Sequence, residues 1–225
     1  MITGIDAILP SGSDSISGYQ NIHQVLTFGA KKIAPERIIL AEYVGKRLED
    51  LKQLFSHRQV EIIRHFESAR PLNIPLDPLQ KVVDGLIKNA IENTPDEGKI
   101  RIRAYKTDNH IAIDCIDHGI GITRENQELI FGGFFHTQET EMYSTKKPFD
   151  FNAGGAGIDL LRTKILSEKF GYTFDFVSKR CDFIILDSDE CPGNIAMCPH
   201  IKNREECYNS GGSTFSIRFP SPAAM

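Results

Sequence analysis

Between Glu36 and about Ser56 the apolar residues Ile39, Leu40, Tyr43, Val44, Leu48, Leu51 and Phe55 recur at steps of three and four. That period matches one face of a helix and predicts an amphipathic one. QVEIIRHFE follows, short and β-branched, and reads as a strand. ARPLNIPLD, with two prolines, reads as a loop. A second helix is expected to open at Asp77 as N-cap, with Pro78 in the first turn and Gln80 completing a capping box. Leu79, Val82, Val83, Leu86, Ile87 and Ala90 form its apolar face. It should stop near Asn93, because Thr94 precedes a proline. IRIRAY and HIAIDCI alternate apolar with polar around the turn KTDN, which predicts a hairpin. Beyond it, 124–131 reads as a short helix. Ile158, Leu161, Ile165 and Leu166 mark another, and YTFDFV, FIIL and TFSIRF read as closing strands.

Helix, then strand, then helix fits an α/β (α+β) two-layer sandwich: a mixed, largely antiparallel sheet covered on one face by three main helices. The 225 residues and 40% apolar content suit one such domain. No apolar run is long enough to span a bilayer, and the start lacks a leader pattern, so a cytoplasmic chain is expected. A net charge of −4 gives no reason to expect nucleic acid as partner.

Chemistry concentrates in four places. Asn89 and Asn93 lie one turn apart at the edge of the apolar stripe, where an amide oxygen can serve as a hard ligand for magnesium; local capping is the plainer role. Asp117-x-Gly119-x-Gly121 follows a strand; its carboxylate could accept from an exocyclic amine while the glycines admit a flat ring, or it could be a simple turn. Gly154-Gly155-Ala156-Gly157 precedes a helix, the arrangement that offers backbone amides to phosphate. The stretch from Gly132 to Ala153, with Phe134, Phe135, His136, Lys146 and Lys147, far exceeds the usual loop of about 4–6 residues, and reads as a lid or a disordered segment.

Taken in order, these motifs resemble the catalytic ATP-binding domain of sensor histidine kinases, within the superfamily that includes gyrase, MutL and the ninety-kilodalton heat-shock chaperone. LQKVVDGLIKNAIENTP is similar to the N box and DHGIGI to the first glycine box. IFGGFFHTQE resembles the phenylalanine box, GGAGIDLLRTK the second glycine box and GGSTFSIRFP the final strand. The resemblance implies that Asn89 holds magnesium and phosphate, with Asn93 beside it, and that Asp117 binds the adenine amine. By the same resemblance Gly119 and Gly121 shape the adenine pocket, and Gly155, Ala156 and Gly157 cradle phosphates. Ser213 or Thr214 supports the adenine side, and Phe131 and Phe135 anchor the lid. It divides the chain into a linker or helical remnant of a dimerisation region (1–35) and the ATP-binding domain (36–220), with an insertion at 179–210.

Three positions depart from the pattern. Gly85 stands where the N box often carries asparagine or glutamate, which implies weak ATP hydrolysis unless Asp84 substitutes. Glu92 replaces a basic residue, and Asp159 a small one. Neither His23 nor His57 sits in the acceptor motif, so the implied phosphoacceptor histidine lies upstream or on another protein. A response regulator and a homodimer of a full-length protein are the other implied partners. The alternatives are a nucleotide-binding regulator without chemistry, an ATPase or serine/threonine kinase of the same superfamily, and a metal-binding interaction module.

In the family the last helix leads to two strands joined by a short turn. Here Lys179 to Ser210 fills that place and carries Cys181, Cys191, Cys198, His200 and Cys207. These are candidate ligands for zinc or an iron–sulfur cluster, with free thiols or a disulfide as the alternative. Cys115 alternates with Ile111 and Ile113 and is expected in the core.

Overall fold

The computed structural model describes residues 34–67, 69–130, 147–153, 158–185 and 189–220. The expectations for the N-terminal segment before residue 34, for Phe131, Phe134, Phe135, His136 and Lys146, and for Gly154, Gly155, Ala156 and Gly157 lie outside them.

The described elements begin with β1 (Glu36–Ile38), α1 (Leu40–Leu51), β2 (Glu61–Phe66), β3 (Leu72–Ile74) and α2 (Leu76–Asn93). The hairpin β4 (Lys99–Lys106) and β5 (His110–Asp117) leads into the single turn α3 (Arg124–Gln127). Next come α4 (Ile158–Phe170), β6 (Thr173–Lys179), a 3-10 turn (Ile195–Met197), α5 (Arg204–Ser210) and β7 (Gly212–Pro220). Five strands form one mixed sheet in the order β2-β4-β5-β7-β6, in which only the β2–β4 pair is parallel.

Alternation explains the two faces. Register aligns Ile102 with Cys115 and Phe215, and Ala104 with Ile113 and Ile217. All six are buried, and they face Leu40, Val44 and Leu48 of α1 and Leu79, Val82, Val83, Leu86, Ile87 and Ile91 of α2. Each fully buried Leu or Ile there is stabilised by about 1.5–3 kcal/mol relative to exposure. The intervening row is polar: Arg103 reaches Asp114 at 3.8 Å, and Ser216 Oγ donates to Asp114 at 2.7 Å. One apolar face and one polar face make this the expected two-layer sandwich, with α2 packed between α1 and α4.

Three local readings needed correction. Glu36–Ile38 is not the start of a helix; it pairs antiparallel with Leu72–Ile74, inside the stretch read as a loop. The partner is remote in sequence, so local periodicity could not register it. The second helix opens at Leu76 from an extended Pro75 without a side-chain cap, because β3 runs straight into it; Asp77 instead pairs with Lys81 at 3.2 Å. FIIL does not form a strand over its described residues 183–185: the chain turns there, with Ile184 N donating to the Cys181 carbonyl at 3.0 Å.

Candidate functional site

Asp117 ends β5 on the inner face, opposite Ser213 of β7. Its carboxylate is 3% exposed. Oδ1 accepts from the backbone amides of Gly119 at 3.1 Å and Ser213 at 3.2 Å. Burial pushes the Asp117 carboxyl up to about 7, and the two amides only partly offset that. The group is therefore held in one orientation and poised near neutrality.

The turn after Asp117 is clamped on both sides. Ile120 N donates to the Asn93 carbonyl at 3.2 Å, so the C-terminal end of α2 is stitched to the turn. A Cβ at Gly119 would lie 2.1 Å from that same carbonyl oxygen, and one at Gly121, where φ is +63°, would lie 1.8 Å from the Lys179 carbonyl. Neither position admits a side chain without moving backbone.

Asn93 in turn fixes Asn89. Its Nδ2 donates to the Asn89 carbonyl at 2.8 Å and to Asn89 Oδ1 at 3.2 Å. The structure thus links Asn89, Asn93, Gly119, Asp117 and Ser213 along one side of the α2–sheet interface. Ser213 adds a hydroxyl contact to Ser178 Oγ at 2.9 Å, and Ser178 Oγ accepts from Ile122 N. Thr214 does not join them: it aligns with Ile116 and Val177 on the outer face, so of the two hydroxyl candidates only Ser213 stands beside Asp117.

The three departures meet in space. A Cβ at Gly85 would touch the Asp159 Cβ at 3.4 Å, so the aspartate of α4 sits against the gap in α2. Lys88, next to Asn89, reaches Glu92 at 3.2 Å and Asp159 at 3.7 Å, and Arg162 holds Asp159 at 2.8 Å. Burial raises the Glu92 carboxyl, while Lys88 and the Phe149 amide, which donates to Oε1 at 2.9 Å, draw it back. Glu92 therefore fastens the segment that ends the long glycine-rich stretch. Asp84 does not substitute at Gly85: both its oxygens are taken by Arg47 at 2.8 Å.

Two residues escaped sequence reasoning. Lys88 was legible in principle, since Lys88 and Glu92 have the four-residue spacing of a helical ion pair. Arg58 was not. Its guanidinium donates to the carbonyls of Ile91, Thr94 and Phe149 and to Asp96, partners on three separate segments. His57, beside it, pairs with Asp150 at 2.9 Å.

The cysteine insertion also has a defined place. Cys181, Cys191, Cys198, His200 and Cys207 all line one cavity. Among the described residues no three of the His, Cys, Asp and Glu side chains are grouped so as to hold a metal ion, which supports neither the zinc site nor the iron–sulfur cluster that the sequence suggested. The cysteines are free, so the disulfide alternative is not realised either. Cys115 is buried in the core as expected, its Sγ 3.6 Å from the Leu86 carbonyl.

A sheet of this order, three packed helices and a buried carboxylate followed by a glycine turn define an α/β domain of the histidine kinase catalytic type. The profile described as "Histidine kinase-, DNA gyrase B-, and HSP90-like ATPase" matches residues 75–223, and the chain belongs to that family. It is 29% identical over 140 residues to the signal transduction histidine-protein kinase ArlS of Staphylococcus haemolyticus, covering 61% of this chain and 28% of that protein. Among solved structures, full-length ShkA in complex with AMPPNP superposes with a TM-score of 0.58 at 14% identity, over 95% of this chain and 40% of that one. Histidine kinase ThkA in complex with the response regulator protein TrrA gives 0.57 at 16%, over 95% and 50%. These structural likenesses establish the fold. The chain spans under a third of the curated relatives it matches.

Proposed function

We propose that this chain is the ATP-binding catalytic domain of a sensor histidine kinase, acting in the cytoplasm. It passes the γ-phosphoryl group of ATP to a histidine upstream of it or on another protein, and a response regulator takes the group onward. The observation that carries this reading is the buried Asp117 carboxylate. Two backbone amides hold it through Oδ1, which leaves Oδ2 to accept the exocyclic amine of adenine. Gly119 and Gly121 let the ring approach the backbone, and the Ser213 amide keeps the carboxylate aimed.

Magnesium fits the amide of Asn89. It is a hard oxygen donor on a rigid helix, oriented by Asn93, and such sites supply few protein ligands beside phosphate and water. Bound there, the ion would neutralise charge on the phosphates, while the chain's own residues position the nucleotide. ArlS is a histidine kinase, ShkA was solved with AMPPNP and ThkA with a response regulator, and all three favour the same assignment.

A second reading, a nucleotide-binding regulator without transfer, draws on Lys88. Lys88, which precedes Asn89 in the chain, is shared between Glu92 and Asp159 and so has less charge to offer phosphate. Calorimetry with ATP and magnesium, followed by incubation of the chain and its acceptor region with γ-labelled ATP, separates the readings. Binding plus a labelled histidine is expected, with both lost in Asn89→Ala. Binding without label selects the regulator, and absence of binding defeats both.

A further inference from the structure

Two of the departures from the family pattern, Gly85 and Asp159, are one feature in space, and it lies in line with the nucleotide. Asn93, Asn89 and Gly85 stand four residues apart on α2. They follow one another along a single face, with about 40° of drift at each step. The Asn93 carbonyl accepts from Ile120 in the glycine turn after Asp117, and Asn89 comes one turn earlier. One further turn back, about 6 Å along the axis, is Gly85. A Cβ there would lie 3.4 Å from the Asp159 Cβ and 3.7 Å from its carboxyl carbon. A nucleotide with adenine at Asp117 and magnesium at Asn89 therefore extends its phosphates toward Asp159, whose carboxylate stands where the next anion would.

That carboxylate is clamped by cations from two helices. Lys88 Nζ on α2 is 3.7 Å from Oδ2, and Arg162 Nη1 on α4 donates to Oδ1 at 2.8 Å. Arg162 alone would make an ordinary i, i+3 pair on a helix surface. Lys88 belongs to the other helix, and it turns that pair into a two-cation clamp on one carboxylate. The side chains of Lys88, Asp159 and Arg162 are 27%, 38% and 27% exposed, open enough to exchange partners with a ligand from solvent. Ion pairs so exposed are weak, because water screens them, and a polyanion competes well against a single carboxylate.

Glu92 plays a different part. Its carboxylate is 7% exposed, reaches Lys88 at 3.2 Å and accepts from Phe149 N at 2.9 Å. It anchors the lysine, while the ammonium keeps other N–H groups to give. Gly85 admits the arrangement: a Cβ there would already touch Asp159, and the further atoms of an asparagine or glutamate would compete with it for space.

We propose that Lys88 and Arg162 form the binding site for the outer phosphates of ATP, and that Asp159 fills it as an internal competitor until the nucleotide displaces it. Lys88 then takes over, from one turn earlier on α2, the contact of the basic residue that Glu92 replaces. Only ion pairs are exchanged; no covalent bond forms or breaks. This rests on the ATP reading and deepens it, by naming what holds the phosphates and what opposes them.

Calorimetry with ATP and magnesium on the full chain tests it. Asp159→Asn keeps the shape and removes the charge, so ATP should bind roughly three- to tenfold more tightly. Lys88→Gln should bind it about tenfold more weakly. In the double variant the gain from Asp159→Asn should shrink, because one of the cations it frees is gone, whereas a general effect of charge would persist. Glu168→Gln removes an equal charge near the far end of α4 and should change nothing. Circular dichroism checks that each variant folds, and Asp159→Ala serves in place of an asparagine form that does not. Binding by the unaltered chain with equal or weaker binding by folded Asp159→Asn overturns the proposal and leaves the ATP reading in place. So does unchanged affinity in folded Lys88→Gln. Absence of ATP binding by the unaltered chain overturns the proposal together with the reading it rests on.

Discussion

The Asp117 corner and the cysteine insertion are neighbours, yet they are ordered by opposite means. At Asp117 the backbone does the work. Strand register, two amides on one carboxylate oxygen and a turn too tight for any Cβ leave little freedom. The insertion is tied to the rest of the domain at separate points. Cys181 N donates to Ile120 O at 2.9 Å, Asp182 N to Ser210 O, and Asp96 bridges to Gly193 and Ile195. Between those ties its cysteines surround open space. A polar group can be buried where backbone donors are fixed in advance to receive it.

Arg58 joins the two regions, because Asp96 receives its guanidinium and also ties the insertion to the loop after α2. Arg58→Met should be the most damaging change, at about 3–5 kcal/mol, since it strands three carbonyls and a carboxylate. Denaturant unfolding measures this. A cost below about 1 kcal/mol would mean that the regions hold together without their common post.

Asp117→Asn acts on one region alone. It turns an amide NH₂ toward the adenine amine, so ATP should bind roughly ten- to a hundredfold more weakly, the loss of about 1.5–3 kcal/mol in a charged hydrogen bond. Unaltered affinity by calorimetry would move adenine elsewhere.

A pH titration sharpens the same point. The folded carboxyl, near 7, lies above its ordinary value of 3.8, so the folded chain binds more protons between the two. The Asp117 contribution to stability therefore falls as pH rises from about 4 to about 7. ATP affinity should move the other way, tightening up to about pH 8 as the acceptor ionises, and Asp117→Asn should flatten that slope.

The smallest effect is expected on the insertion's exposed rim. Lys179 and Asp182 lie 2.7 Å apart but are 59% and 55% exposed. Asp182→Ala should change the melting free energy by under about 0.5 kcal/mol. A larger loss would show that the insertion relies on surface pairs.

Much of the fold was legible because periodicity reports burial. The apolar faces of α1 and α2 and the β4–β5 hairpin follow from spacing alone. What failed was pairing between distant segments. β1 with β3 lacks any local signature, and FIIL has the composition of a strand but begins in a turn closed by Ile184 N on the Cys181 carbonyl. At the site, Asp117 and Asn89 were readable as chemistry at the ends of regular elements. Ser213 and Thr214 stood as alternatives because composition does not say which face a hydroxyl takes; register puts Ser213 opposite Asp117.

The amino-acid order by itself determined which residues could act: an amide on a helix edge, a carboxylate before a glycine turn and a set of late cysteines. It did so because residue type and spacing fix local conformation and chemistry. Only tertiary structure decided that Asp159 lies against Gly85, that Arg47 occupies Asp84 and that four thiols share one cavity. Those facts arise from packing between elements far apart in the chain, where distance in sequence carries no information about distance in space.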